Sequence, residues 1–220
     1  MDERVATCEV ELGSPLAELH PQEADVVCNA LPRRVLEFRA GRHCARIALG
    51  RLGVTPGALL PSVQRAPLWP PGVVGSISHT GDAARGWCGA AVARSERVLG
   101  LGLDAELATP LEPELYRLVL RPEELAFVSS RTESERGLWA KLIFSAKEAT
   151  YKCQFPSSQK FLEFNQVLVE FDVASSTFTA RLDCDAPPFR AGFTFFGRFL
   201  CTDELLVTAV VLTTMPGSAR

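Results

Sequence analysis

Apolar residues recur along this chain at two spacings, and those spacings divide it into elements. Leu138, Leu142, Ala146, Ala149 and Cys153 fall at steps of three and four with no Pro or Gly between them. That spacing predicts a helix over Ser134 to Cys153 with one buried side. A second helix is predicted from Pro32 to about Leu52, with Asn29 as its cap and Gly53 at its end. Val35, Phe38, Ala45, Ile47, Ala48 and Leu52 supply its apolar side. A shorter helical pattern of Leu125, Ala126 and Val128 follows Pro122. Alternating or continuous apolar runs predict strands over Thr7 to Leu12, Val73 to Ser78, Ala83 to Arg94, Val98 to Asp104, Val167 to Val173, Thr177 to Leu182, Phe193 to Cys201 and Leu205 to Thr213. Ser95-Glu96-Arg97 and Thr202-Asp203-Glu204 read as hairpin turns. Residues 53 to 73, broken by Pro56, Pro61, Pro67, Pro70 and Pro71, read as a loop. So does Phe155 to Lys160, and Met215 to Arg220 reads as a frayed tail.

The order of helix and then hairpin occurs twice, in each case leading into a strongly apolar strand. The expected fold is therefore α+β, built from two similar halves, 1–107 and 108–220, each a long helix on a mostly antiparallel sheet. A hydrophobic content of 47% in 220 residues suffices for real cores. A net charge of −3 and a pI near 5.7 argue against a nucleic-acid backbone as the main partner. The 7 cysteines contain no Cys-x-x-Cys pair, which fits buried thiols in a reducing compartment. The N-terminus shows no basic region followed by an apolar run, and no stretch has membrane-spanning length, so the expected location is the cytoplasm.

Four places carry candidate chemistry. On the predicted helix around Phe144 to Lys152, Lys141, Ser145, Glu148 and Lys152 share one side, while Lys147 points about 100° away from Glu148. Alone, Glu148 and Lys152 would be an ordinary surface ion pair. Leu101 to Glu106 is an apolar strand ending in Asp104 and Glu106. In extended chain those carboxylates project to one side about 7 Å apart, and oxygen-only donors suit Mg²⁺ or Mn²⁺. The preceding Gly-Leu-Gly is a poor dinucleotide motif, since the third glycine is missing. Gly75 to Asp82 contains Ser78-His79, which adjacent strand positions turn to opposite faces, so they make no nucleophile and base pair. In the Pro32 helix, Arg33, Arg34, Arg39, Arg42, Arg46 and Arg51 meet a single helical acid, Glu37. Anionic oxygens are the natural partner of such arginines.

Taken together, Gly-Ser-Ile-Ser-His-Thr-Gly-Asp, Leu-Gly-Leu-Asp-Ala-Glu and Phe-Ser-Ala-Lys-Glu-Ala-Thr-Tyr-Lys resemble, in that order, the 4′-phosphopantetheinyl transferases. The likeness is to the longer, single-chain type that serves peptide and polyketide synthases and siderophore pathways. The resemblance implies two pseudo-twofold-related halves in a self-sufficient monomer. It implies transfer of 4′-phosphopantetheine from coenzyme A to a serine of an acyl or peptidyl carrier protein, releasing adenosine 3′,5′-bisphosphate. It further implies Asp104, Glu106 and Glu148 on magnesium, and Glu148 as acceptor of the serine proton. Lys147 and Lys152 would lie near coenzyme phosphates. By the same likeness Arg34, Arg42, Arg65, Ser78 and His79 contact the coenzyme, with Arg46 a further candidate. The rival expectation is a non-catalytic module that binds coenzyme A or a carrier protein. A nucleotide hydrolase is disfavoured, because no Gly-x-x-x-x-Gly-Lys-Ser/Thr loop is present.

Overall fold

The computed structural model describes residues 3–213, so the predicted tail over Met215 to Arg220 lies outside the described residues. The chain is an α+β protein of helices and antiparallel strand pairs arranged in a three-stranded and a five-stranded sheet. Its compact units divide between Leu101 and Gly102, inside a strand rather than after residue 107, with Thr213 grouped with the first.

The first unit contains β1 (Val5–Glu11), α1 (Pro21–Val27), α2 (Pro32–Arg51), β2 (Val73–Gly81) and β3 (Gly86–Arg94). β3 is the central strand, with β1 and β2 antiparallel on either side. That position explains its nearly unbroken apolar sequence, since a central strand covered by a helix has little polar surface to offer. Ala40, Cys44 and Ala48, at helical steps of four, are fully buried where α2 meets Cys88 and Val92. Small side chains let helix and sheet approach closely. The cap of α2 is Leu31 rather than Asn29, with Pro32 opening the first turn, where its fixed φ is already helical. The short helix α1 was not legible from periodicity. Glu23 helps start it by accepting the His20 N–H at 2.9 Å.

The second unit holds most of β4 (Val98–Leu107), then α3 (Tyr116–Val119), α4 (Pro122–Ser129), α5 (Glu133–Ser158), β5 (Val167–Asp172), β6 (Thr177–Leu182), β7 (Thr194–Cys201) and β8 (Leu205–Thr213). The expected hairpin of β3 and β4 does not form. Both edges of β3 are already taken by β1 and β2, and β4 instead borders β8 in a sheet of order β4-β8-β7-β6-β5. The hairpin over Thr202-Asp203-Glu204 does form, pairing β7 with β8.

α5 runs on to Ser158, so most of the loop expected after Cys153 is helical. Pro156 removes a donor only in the final turn, and Gln159 ends the helix at a left-handed φ of 51°. At the other end the Glu135 carboxylate accepts the Thr132 N–H at 3.2 Å. A buried hydroxyl pair fixes the helix on the sheet: Thr208 Oγ1 donates to the Ser145 carbonyl at 2.9 Å, leaving the Ser145 hydroxyl, 2.8 Å away, to donate back. No helix among the described residues is long and apolar enough to cross a membrane.

Candidate active site

Glycine at position 102 decides how close β4 comes to α5. A Cβ there would lie 1.7 Å from the Ala149 carbonyl oxygen, so a side chain is excluded by the helix backbone itself. Two residues further along the strand, Asp104 is 4% exposed and meets the Lys152 ammonium at 2.6 Å. Lys152 also donates to the Leu103 carbonyl at 3.2 Å. Glu106 follows on the same side of the strand, with the Lys141 ammonium 3.8 Å from its Oε2.

Glu148 belongs to the same cluster. Burial pushes its pKa up, the charge of Asp104 adds to the rise, and Lys152 opposes it. Burial likewise raises Glu106, reinforced by Asp104 and Glu148 and opposed by Lys141 and Lys152. After burial, the charge of Asp104 is the next contributor to the rise at both glutamates. As they stand, no three His, Cys, Asp or Glu side chains among the described residues converge closely enough to hold a metal ion. A cavity of about 160 Å³ opens beside Glu148, walled by Tyr151, Phe161, Leu162, Phe164 and Val167.

Lys147, expected near a coenzyme phosphate, also lines this cavity, with its ammonium engaged in an internal ion pair. Its ammonium donates to Glu124 Oε2 at 2.6 Å and to the carbonyls of Val119 and Phe164 at 2.8 Å each. All three protons are thereby used. Glu124 in turn accepts the N–H groups of Arg121 and Val169, both at 2.8 Å. Helical projection alone cannot separate this outcome from an exposed lysine, because Glu124 reads as a first-turn acid of α4.

In the first unit, Arg34 and His79 come together around Glu37. Arg34 Nη1 lies 3.5 Å from His79 Nε2 and 3.5 Å from Glu37 Oε2, and Arg33 Nε donates to Glu37 Oε1 at 3.0 Å. Ser78 takes the opposite side of β2 and is only 4% exposed, so it does not share this surface with His79. Arg42 is held inside, its Nε donating to the Leu59 carbonyl at 2.6 Å and its guanidinium 4.1 Å above the Phe38 ring. Burial lowers its pKa to about 10, with Glu23 opposing and the charges of Arg34 and Arg46 adding to the fall. Arg65 sits at a left-handed φ of 66° in the turn closed between Ser62 and Ala66.

Two arginines expected to lack partners have them. Arg46 pairs with the fully buried Glu23 at 2.7 Å, and Arg39 with Glu18 at 2.6 Å. Counting acids within α2 misses these, since both come from earlier in the chain. Helical spacing puts Lys141 on the Glu148 side of α5, but no spacing rule ties it to Glu106, a strand residue thirty-five positions earlier.

The sequence matches a known enzyme family over most of the chain. A family model for the 4′-phosphopantetheinyl transferase N-terminal domain covers residues 22–93, and one for the 4′-phosphopantetheinyl transferase superfamily covers residues 100–205. The chain belongs to the 4′-phosphopantetheinyl transferase family and is a transferase of that class. It is 40% identical to the 4′-phosphopantetheinyl transferase Svp of Streptomyces mobaraensis, over 94% of this chain and 83% of the relative. It is 35% identical to PptT of Mycobacterium tuberculosis, over 87% and 85% respectively. Npt of Nocardia iowensis is 33% identical over 87% and 88%. All three are named as transferases, and the binding-module alternative gains no support.

Proposed function

We propose that Asp104, Glu106 and Glu148 bind a divalent cation, Mg²⁺ or Mn²⁺, and that Glu148 takes the proton of the attacking serine. The observation that supports this reading is the placement of Asp104 and Glu106 on β4 against the Lys152 and Lys141 ammonium groups of α5, the helix that also carries Glu148. The donors are all carboxylate oxygens, which suit a hard cation, and the Lys152 ammonium already supplies positive charge at Asp104. When bound, the ion neutralises diphosphate oxygens of coenzyme A.

The serine hydroxyl of the carrier protein attacks the phosphorus on the pantetheine side. A serine O–P bond forms, the P–O bond to the second phosphate breaks, and adenosine 3′,5′-bisphosphate departs. The serine proton passes to Glu148, whose side chain lines the cavity on this side of α5. Lys152 offers its charge to the oxygens of the departing nucleotide's 5′-phosphate. The cavity beside Glu148, lined by Lys147, Glu148 and Glu163 together with aromatic and aliphatic side chains, suits the pantetheine arm.

Arg34, Arg42, Arg65 and His79 take the phosphates at the adenosine end. Supporting this, Arg34 and Arg46 repel the desolvated Arg42, a strain that an arriving anion relieves. The acceptors are acyl and peptidyl carrier domains of polyketide and nonribosomal peptide synthases. Both family regions lie on one chain, and the enzyme works as a monomer in the cytoplasm.

Incubation with coenzyme A, magnesium and a panel of apo carrier proteins, read by mass spectrometry, tests the reading. One or more carriers gain a phosphopantetheine, and the gain disappears when the divalent ion is chelated. Undiminished transfer in chelator overturns the metal assignment.

A further inference from the structure

Two lysines, rather than one, stand against the carboxylates of β4. Lys152 Nζ is 2.6 Å from Asp104 Oδ1, and Lys141 Nζ is 3.8 Å from Glu106 Oε2. The second pair is sheltered, with 17% of the Lys141 side chain and 25% of Glu106 exposed. Lys141, Glu148 and Lys152 are spaced at seven and four residues, so one face of α5 presents them in line. Among the described residues, these three carboxylates and two ammonium groups sum to a formal charge of −1. A divalent ion entering alone would turn that cluster net positive and would compete with an ammonium for the oxygens it needs. The diphosphate of coenzyme A brings the compensating anion.

We infer that Lys141 and Lys152 keep the carboxylates charge-balanced in the coenzyme-free enzyme, so that the divalent ion is taken up together with the coenzyme A diphosphate rather than ahead of it. Lys141 is the positioning residue in this arrangement, acting through Glu106 and not on the substrate. The inference rests on the reading of Asp104, Glu106 and Glu148 as metal ligands. Because two ligands that favour the same state strengthen each other equally, the coenzyme also binds more tightly when the ion is present.

The test is Mn²⁺ binding followed by electron paramagnetic resonance, with and without coenzyme A. It compares the full-length wild type with Lys141→Gln, Lys141→Arg, Lys160→Gln and Asp104→Ala. Without coenzyme A, Lys141→Gln binds Mn²⁺ at least about fivefold more tightly than wild type, the low end of ordinary coupling between sites. Lys141→Arg, which keeps the charge, binds as wild type does. Lys160→Gln also binds as wild type, because Lys160 donates to Cys184 and Asp185 and does not pair with the β4 carboxylates. Coenzyme A then improves Mn²⁺ affinity less in Lys141→Gln than in wild type. Should Lys141→Gln fail to fold, Lys141→Met retains the packed stem and takes its place. Equal or weaker Mn²⁺ binding by the charge-neutral variant, with Mn²⁺ still bound by wild type in the presence of coenzyme A, overturns the inference alone. If wild type binds no Mn²⁺ even with coenzyme A, or Asp104→Ala binds it unchanged, the ligand assignment falls as well.

Discussion

The Lys147 ammonium lies 2.6 Å from Glu124 Oε2, with 2% and 0% of the two side chains exposed. At its neighbour in sequence, Glu148, burial raises the pKa and the charge of Asp104 adds to the rise. Consecutive residues of one helix are thus placed differently, Lys147 holding segments of the second unit together and Glu148 assigned, in the proposed reading, to the chemistry. Removing the lysine charge while keeping its bulk, as Lys147→Met, leaves a glutamate buried without its ion partner. The expected cost is about 3–5 kcal/mol in urea unfolding. Lys147→Met combined with Glu124→Gln loses less than the single change. Coenzyme A affinity of the folded Lys147→Met fraction stays at the wild-type value, as a purely structural lysine requires.

Gly102→Ala drives a methyl group into the Ala149 carbonyl, only 1.7 Å from the new carbon. Backbone cannot yield as a side-chain tip does, so β4 and α5 separate and Asp104 moves relative to Glu148. Overpacking of this kind costs about 1–3 kcal/mol. The loss of turnover at saturating substrates exceeds what the lowered stability explains. Gly57→Ala, where nothing lies within 4 Å, is the control and changes stability by less than about 0.5 kcal/mol.

Glu148→Gln keeps the size of the side chain and discards its charge. Turnover falls by two orders of magnitude or more, in line with the range of about 10²–10⁴ for a lost general base. The melting temperature is equal to or above that of wild type. The sign follows from the raised pKa: ionised Glu148 is less favourable in the folded enzyme than in the unfolded chain, so neutrality relieves the native state. A lower melting temperature with intact turnover would remove Glu148 from the reaction.

Acid stability reports on a different carboxylate. Burial works against the charge of Glu23, but the N–H groups of Leu59 and His20 and the Arg46 guanidinium outweigh it and hold the pKa below the usual glutamate range. A depressed folded pKa gives stability that is present above the unfolded value, about 4.3, and is lost as pH falls through the folded value. Unfolding of wild type and Glu23→Gln between pH 7 and pH 3 therefore starts with wild type ahead by about 2 kcal/mol. The curves converge as Glu23 protonates at the acid end.

The elements that sequence revealed were those with long, regular patterns. α2 and α5 show clear periodicity, and β5 to β8 are bounded by turn residues, so their positions followed from local sequence. The partner of β4 did not, because a strand's neighbour is chosen by which edges are already filled, and the edges of β3 are filled by strands far from it in sequence. The acids Asp104, Glu106 and Glu148 were visible as residue types at fixed spacings. What became of the cations was not. Lys147 and Arg46 are consumed by Glu124 and Glu23, and no local pattern distinguishes a buried ion pair of that kind from a solvated one. Lys141 was passed over for the converse reason, since its partner lies on another element.

Because β4 leaves the neighbourhood of β3 and enters the second sheet, the catalytic acids, the glycine that seats them and the lysines that balance them all fall between Gly102 and Lys152. The arginines and His79 belong to the other unit. In the proposed reading, grip on the coenzyme and chemistry on the acceptor are thus written in separate stretches of the gene product. Changes among the arginines of α2 shift coenzyme preference while the acid machinery keeps its shape.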